Sequence, residues 1–228
     1  MVQPDTSTAD IGQNLQSLFA AQPIFDSNNN RVAVELLYRC DSGITALELG
    51  DNQATTEIIY NLCSGISEQI AQYNAPVFIN VCADFLMSGS FLPLEPDKVV
   101  IELVERINPT TTFIASVAEL KRRGFRFALD DFEFTPDWEE LVALADIIKV
   151  DILNSDIATV LKQKRRLAKF DLTWLAERVE TVEQYQQYQI MGFDLFQGYF
   201  LTKSLLVAGK KMEPGALKVA EIISCLFA

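Results

Sequence analysis

The sequence predicts an α/β fold whose parallel strands close into a barrel. Strand-like apolar runs alternate with helical segments at an interval of roughly two dozen residues, which is the pattern of repeated strand–helix–strand units. About eight such strands in a chain of 228 residues favour a closed barrel over an open sheet. The composition is 49% hydrophobic, which supplies a core for one large domain or two small ones.

The composition also excludes several classes of site. A net charge of -12 and a pI of about 4.5 argue against a protein that binds duplex nucleic acid, because such a protein would carry a basic face. The chain contains no histidine, which excludes Ser-His-Asp and Cys-His catalysis and histidine-ligated zinc. Any metal must therefore be held by oxygen ligands, which suits magnesium, manganese or calcium.

The cysteines and the hydropathy pattern indicate the cellular compartment of the protein. The four cysteines are widely spaced and form no C-x-x-C pair. We interpret them as free thiols of a reduced compartment and expect a cytoplasmic protein, although a structural disulfide stays open. Residues 1–16 lack a basic region followed by an apolar one, so we expect no signal peptide. No uncharged apolar run approaches roughly 18 residues, so we expect no membrane segment.

The first strands are predicted to form a hairpin. Residues 1–17 are polar and are expected to be mobile, although 13–21 also has the pattern of a short helix. Apolar runs at 22–25 and 32–38 flank the sequence Asp-Ser-Asn-Asn-Asn at 26–30, which strongly favours a turn. A hairpin at this point would place one antiparallel strand in an otherwise parallel sheet.

Helices and strands then alternate along the chain. Pro109 and Gly124 bound one helix, and Thr181 and Gly192 bound another. The predicted helices cover 51–73, 108–123, 138–145, 155–169 and 181–191. The predicted strands cover 76–81, 99–104, 125–129, 147–152, 172–176 and 194–196.

The barrel domain is predicted to cover residues 18–204, followed by a helical tail over 205–228. Residues 214–228 have amphipathic spacing and end in the apolar sequence IISCLFA, which is unusual for a free terminus. The tail either docks on this domain or leads to a second domain. In the second case the chain would be a portion of a longer protein.

The sequence FRFALDDF at 125–132 places two aspartates directly after a buried strand. Asp130 and Asp131 repel each other, and burying both carboxylates without a partner is costly. A divalent metal would balance them. A helix N-cap followed by an acid in the first turn explains the same pair without a metal.

Polar residues occupy the ends of seven successive strand-like segments. They are Glu35, Asn80, Glu102, Asp130 with Asp131, Lys149, Glu177 and Gln197. An ion pair or a cap explains each of them alone, but a glutamate inside the apolar run VVIELV is costly unless it is paired or bound to metal. In a barrel these strand ends meet at one face, where active sites are found. We therefore expect one site lined by all of them.

The residue types predict hard-metal chemistry. Carboxylate and amide oxygens suit Mg²⁺ or Mn²⁺, and Asp130 with Asp131 could share two ions. Two metals activate a water and stabilise an in-line displacement at phosphorus. Lys149 would orient that water or offset charge on the transferring phosphate.

Eight short segments occur along the chain in the order and spacing of a known family. They are QPIF at Gln22, ELLYR at Glu35, INV at Asn80, IELVE at Glu102, ALDDF at Asp130, IIKVD at Lys149, AERVET at Glu177 and QGYF at Gln197. They resemble the EAL domain, the bacterial phosphodiesterase module for cyclic di-GMP. Each segment alone is weak evidence for the family, whereas eight of them in order over nearly the whole chain are specific to it.

The resemblance implies a modified TIM (β/α)8 barrel with an early antiparallel strand. It implies hydrolysis of cyclic di-GMP to linear pGpG in bacterial second-messenger signalling. It also implies a Mg²⁺ or Mn²⁺ ion held by Glu35, Asn80, Glu102 and Asp130, with Asp131 serving a second ion. We expect Ca²⁺ to inhibit such a site.

Further roles follow only from the resemblance. Lys149 and Glu177, with Asp131, would act on the attacking water. Glu105 would brace the loop after Asp131. The contacts to cyclic di-GMP would come from Gln22, Leu37, Arg39 and Gln197.

The chain departs from the family pattern at several positions. Leu36 replaces an alanine, Cys82 replaces a serine, and Arg178 replaces a glycine. The larger departure is the loop after Asp131, which reads FEFTPD where the family has glycines. Because glycine permits backbone conformations that other residues avoid, this loop puts the second metal position in doubt. A shift of about 1 Å at a catalytic group can cost about a hundredfold in rate.

Two functions are consistent with the sequence. The first is an active cyclic di-GMP phosphodiesterase, weak because of the altered loop. The second is a catalytically impaired EAL domain that senses cyclic di-GMP or binds a protein partner. The sequence leaves open whether the chain forms a homodimer, and the motifs resemble the subclass in which a C-terminal HDOD domain follows the EAL domain.

Overall fold

The computed structural model describes residues 16–40, 51–64, 75–87, 94–104, 107–130, 138–203 and 205–210, some of them at the ends of elements by their backbone alone. The strands are β1 Gln16–Asp26, β2 Arg31–Cys40, β3 Val77–Asn80, β4 Val99–Val104, β5 Arg126–Asp130, β6 Ile147–Asp151, β7 Thr173–Glu177, β8 Leu195–Phe196 and β9 Leu205–Lys210. The helices are α1 Asp51–Ser64, α2 Ala83–Met87, α3 Thr111–Arg122, α4 Glu139–Val142, α5 Ile157–Arg166 and α6 Val182–Ile190. None of these helices combines the length and apolar character needed to cross a membrane.

The strands close into a barrel. Neighbours from β2 to β8 pair in parallel and in chain order. β1 runs antiparallel to both β2 and β8 and so closes the ring of eight strands. This confirms the predicted α/β barrel and its early antiparallel strand.

The hairpin between β1 and β2 is held by Asp26. Its Oδ1 accepts hydrogen bonds from the backbone N–H groups of Asn28 and Asn30, at 2.9 and 2.8 Å. Asn29 takes a positive φ of 63°, which asparagine tolerates better than most residues. The turn sequence therefore forms the predicted hairpin for an identifiable local reason.

The helix ends follow capping rules. Thr110 caps α3 by accepting from the N–H of Phe113, and Gly124 follows that helix with φ of 95°. Thr181 and Gln184 form a reciprocal capping box at the start of α6. These short helices thus begin where their polar side chains satisfy free backbone groups.

Two expectations for the chain ends are wrong in part. Residues 16–21, expected to be mobile or helical, are strand, because β1 pairs with β2 on one side and with β9 on the other. Residues 205–210, expected to begin a helical tail, form β9 for the same reason. Non-local pairing overrides local helical preference here. The helix predicted over 214–228 lies outside the described residues and stays a prediction. The short helix α2 was missed in a segment expected to be loop.

The core has two compartments. One buried cluster lies inside the barrel and consists of Ile24, Ala33, Phe78, Val100, Ala128, Ile147 and Leu175. The larger cluster lies between the barrel and the helices and includes Val34, Leu36, Ile101, Phe127 and Val150. Successive strand residues face opposite sides, so each strand contributes to both compartments.

Candidate functional site

The strand period places the seven polar positions one layer above the inner apolar cluster. Ala33, Phe78 and Val100 each lie two residues before a polar residue, and the same spacing holds on four further strands. Residues two apart on a strand share a face. The polar side chains therefore point into the barrel at the carboxyl ends of the parallel strands, where barrel enzymes have their active sites.

Lys149 is the centre of this layer. The side chain is buried, and its Nζ contacts carboxylates from four other strands. The distances are 2.8 Å to Glu102 Oε1, 3.0 Å to Glu177 Oε1, and 3.4 Å to both Glu35 Oε1 and Asp130 Oδ1. One ammonium thus holds together four acidic side chains that lie far apart in the sequence.

Gln197 and Gln22 flank the same carboxylate. The buried Gln197 donates from Nε2 to Glu35 Oε2 at 2.7 Å. The half-buried Gln22 lies opposite Glu35 in the antiparallel pair of β1 and β2. Asn80 lies beside Glu102 in the parallel pair of β3 and β4. The structure thus brings Glu35, Asn80, Glu102, Asp130, Lys149, Glu177 and Gln197 together at one mouth.

The burial of these charges shifts their protonation. Burial raises the pKa of Glu102 well above its ordinary value, and the Glu35 carboxylate adds to this. Burial likewise raises the pKa of Glu177, although Lys149 offsets part of the rise. Burial alone would lower the pKa of Lys149, but the surrounding carboxylates, Asp130 first, raise it by more. The Lys149 ammonium therefore stays charged, whereas burial disfavours the charged forms of Glu102 and Glu177.

Several oxygens in the layer lack a hydrogen-bond donor. Asn80 Oδ1, both oxygens of Glu102 and Asp130 Oδ1 are buried and accept no hydrogen bond of suitable geometry from the described residues. Glu102 Oε1 is nevertheless in ion-pair contact with Lys149. Buried oxygens of this kind are normally satisfied, so these suit a hard cation. The residues thus fit Mg²⁺ or Mn²⁺.

The described acidic side chains do not surround a common point at which one ion could bind. No three of them within the described ranges are placed to hold one ion. Lys149 lies among them instead. Asp131 lies outside the described residues, as do Glu105 and the whole loop 131–137. The predictions for the second metal position and for the loop brace therefore stay predictions.

The predicted nucleotide contacts are described in part. Leu37 is half-buried and shares the inner face of β2 with Glu35, two residues away. The backbone of Arg39 lies in β2 opposite Leu18, but its side chain is outside the described residues. Leu37 is thus placed at the mouth, and the role of Arg39 stays a prediction.

Sequence reasoning missed two features of this mouth. Asp151 is buried and pairs with Arg178, whose φ is 59°. Gly198 packs so tightly that an added Cβ would lie 2.2 Å from the carbonyl oxygen of Val179. Asp151 at a strand end resembled the other polar positions and could have been found. The sequence alone gives no sign of the pairing or of the tight packing.

Comparisons with known proteins give the same assignment as the motifs. The sequence model of the EAL domain family matches residues 8–204. The cyclic di-GMP phosphodiesterase CdgJ of Vibrio cholerae is 33% identical over 200 residues, which cover 86% of this chain and 46% of CdgJ. The uncharacterized protein YuxH of Bacillus subtilis is 32% identical over 214 residues, which cover 90% of this chain and 51% of YuxH. The chain spans about half the length of these curated relatives.

Solved structures share the fold at lower identity. The PaMucR phosphodiesterase in complex with c-di-GMP superposes with a TM-score of 0.66 at 21% identity, covering 82% of this chain and 96% of that one. BlrP1 of Klebsiella pneumoniae, with calcium and c-di-GMP, gives 0.65 at 24% identity, covering 86% of this chain and 59% of that one. The family match spans most of the sequence and the barrel agrees with it, so this chain belongs to the EAL domain family.

Proposed function

We propose that this chain is a metal-dependent phosphodiesterase that hydrolyses cyclic di-GMP to linear pGpG. The observation that carries the proposal is the mouth of the barrel. There the buried Lys149 forms an ion pair at 3.0 Å with the half-buried Glu177, beside carboxylate and amide oxygens that accept no hydrogen bond of suitable geometry from the described residues. Family membership and the relative CdgJ support the same substrate.

The donor set indicates how metal would be held. Oxygens of Glu35, Asn80, Glu102 and Asp130 would bind Mg²⁺ or Mn²⁺, and Asp131 would serve a second ion. When bound, these ions would supply positive charge at the phosphate and lower the pKa of the attacking water. Calcium accepts looser geometry, and we expect it to hold the nucleotide without efficient turnover.

The remaining chemistry falls to Lys149 and Glu177. Hydrolysis forms a bond from a water oxygen to phosphorus and breaks the bond from phosphorus to the 3′ oxygen, which leaves with a proton. Glu177 would take the proton from water, and burial raises the pKa of its carboxyl group, which makes the carboxylate a stronger base. Lys149 lies within 3.0 Å of Glu177 and would orient the pair and offset charge on the phosphate.

A second candidate is a catalytically impaired domain that binds cyclic di-GMP or a protein partner. One observation favours it: the loop 132–137, beside the expected second metal position, contains no glycine. A misplaced second ion would leave nucleotide binding intact and remove turnover.

A hydrolysis assay separates the two candidates. Purified protein is incubated with cyclic di-GMP and Mn²⁺ or Mg²⁺, and the products are separated by chromatography. We expect pGpG to form with Mn²⁺ or Mg²⁺, and we expect no pGpG when chelator or Ca²⁺ is added. Intact nucleotide under these conditions would refute it. Calorimetry then decides between a sensor, which binds without product, and a purely protein-binding module, which does not bind.

The setting of the reaction is also a proposal. We infer action in the bacterial cytoplasm, in agreement with Cys82, which is not in a disulfide. Whether the chain forms a homodimer stays open, and the C-terminal HDOD domain stays a prediction. Light scattering of the purified chain would check the first, and the sequence of the parent gene would check the second.

A further inference from the structure

A strained turn lies directly after the glutamate that we assign as the base. Arg178 follows Glu177 at the end of β7 and has a φ of 59°. This left-handed conformation is unfavourable for a residue with a Cβ, because the Cβ approaches the following carbonyl. Such a conformation persists only where its surroundings hold it.

The side chain of Arg178 is held by a buried acid on the neighbouring strand. Its Nη1 lies 2.6 Å from Oδ2 of Asp151, whose side chain is 8% exposed. Asp151 also accepts hydrogen bonds from the N–H groups of Leu153 and Asn154 and from Asn154 Nδ2. The acid is therefore fixed by its own loop and can act as an anchor.

The turn joins two residues of the mouth. Asp151 and Glu177 are partners in the register of β6 and β7, so the anchor lies beside the base. After the turn, the N–H of Val179 donates to the carbonyl of Gln197 at 3.0 Å. A change at Arg178 would therefore be transmitted to Glu177 on one side and to Gln197 on the other.

We infer that Arg178 is a positioning residue. Its ion pair with Asp151 holds the left-handed turn, and the turn keeps Glu177 in contact with Lys149 and Gln197 in contact with Glu35. The effect on rate rests on the proposed function. The effect on geometry does not.

Three substitutions test the kinetic effect. Arg178→Ala still has a Cβ that disfavours the left-handed turn but has lost the ion pair that holds it, so we expect kcat to fall by about tenfold with KM within about twofold. Arg178→Lys keeps a cation for Asp151 and should restore kcat to within about threefold. Arg178→Gly adopts the left-handed turn without strain and without the anchor, as the glycine of the family pattern would, so it should fold and keep kcat within about twofold of wild type.

The matched control is Arg122→Ala. Arg122 is an exposed arginine that pairs with Glu119 on α3, away from the mouth. It should leave kcat and KM unchanged. A wild-type kcat in Arg178→Ala, or equal losses in Arg178→Ala and Arg178→Lys, would overturn the inference.

A crystal structure of Arg178→Ala separates the inference from the proposed function. We expect the distance from Lys149 Nζ to Glu177 Oε1, now 3.0 Å, to lengthen beyond contact while the barrel is unchanged. A retained contact would overturn the inference even if the enzyme is active. If the wild type hydrolyses no cyclic di-GMP, the proposed function fails, and this distance still decides the role of Arg178.

Discussion

Glu102 illustrates the conflict between stability and metal binding at a single residue. The side chain is completely buried, and both of its oxygens lack a hydrogen-bond donor of suitable geometry. Burial and the Glu35 carboxylate disfavour its charged form. Such a residue costs folding free energy in the absence of metal and supplies a ligand when metal arrives.

Glu102→Gln should therefore separate the two properties. Glutamine resembles the protonated acid, so we expect the free energy of unfolding in chelator to stay within about 1 kcal/mol of wild type or to rise. Mn²⁺ affinity should fall by about tenfold or more, since a charged ligand is lost. Calorimetry and denaturant unfolding measure both quantities. Glu119→Gln, on the surface of α3, is the control and should leave metal affinity unchanged. Unaltered Mn²⁺ affinity in Glu102→Gln would remove this residue from the ligand set.

Lys149 has the opposite role in the metal-free protein, because its ammonium is the charge that the four carboxylates share. Removing one partner of a buried ion pair leaves its counter-charges uncompensated. Lys149→Met should cost about 3–5 kcal/mol of stability in chelator. Mn²⁺ should then stabilise the variant more than it stabilises wild type, and activity should be lost. Thermal unfolding with and without Mn²⁺ measures this, and an equal shift in both proteins would contradict it.

The turn formed by Gly198 and Val179 shows how an element fixes a side chain of the site. An added Cβ at Gly198 would lie 2.2 Å from the oxygen and 2.3 Å from the nitrogen of Val179. The preceding residue, Gln197, accepts from the N–H of Val179 through its carbonyl and donates from its side chain to Glu35.

Gly198→Ala should destabilise the barrel and lower its activity together. We expect a loss of about 1–3 kcal/mol from overpacking, with more from the backbone conformation, and a lower kcat. Gly124→Ala is the matched control: its φ of 95° is also positive, but its new Cβ would meet Pro96 at an ordinary 3.6 Å, before β5 and away from the mouth. It should lose stability and keep kcat. Equal kcat in both variants would contradict the role assigned to the Gly198 turn.

The strands were predicted well because their signals are local. Apolar runs such as 99–104 and 147–152 are almost fully buried and match β4 and β6. Residues 16–21 were not assigned correctly, because their own composition does not show that they extend the hairpin with β2 and pair with β9, nearly two hundred residues away. Local composition cannot report a pairing of that kind.

The membership of the site could also be predicted from the sequence, because it follows from where polar residues lie along the strands. Parallel strand ends meet at one face, so polar residues at those ends had to lie near each other. The contacts of Lys149 with four other strands were not predictable, because they depend on how five side chains share one volume. The pairing of Arg178 with Asp151 left no pattern in the sequence either.

The whole molecule should show a pH dependence that metal reverses. The pKa values of Glu102 and Glu177 lie above their ordinary value of 4.5. At pH values above 4.5 these two groups therefore bind more protons in the folded state than in the unfolded state. Raising the pH from about 5.5 to about 8 should therefore lower the stability of the metal-free protein. The pKa of Lys149 lies above its ordinary 10.5, so its contribution is lost only in strong alkali.

Metal competes with these protons, so Mn²⁺ should stabilise the protein more at about pH 8 than at about pH 5.5. Thermal unfolding in chelator and in Mn²⁺ at both pH values measures the effect. Glu102→Gln should flatten the dependence. A metal-free protein that is more stable at the higher pH would contradict the account of the buried carboxylates.

The most direct measurement is a crystal structure of the chain with cyclic di-GMP and Ca²⁺. The account predicts a cation at the mouth of the barrel, with a phosphodiester against it and Lys149 and Glu177 beside the phosphorus. The cation's ligands should include Glu35, Asn80, Glu102 and Asp130. A nucleotide or ion bound elsewhere, with these four side chains free of metal, would contradict the central claim.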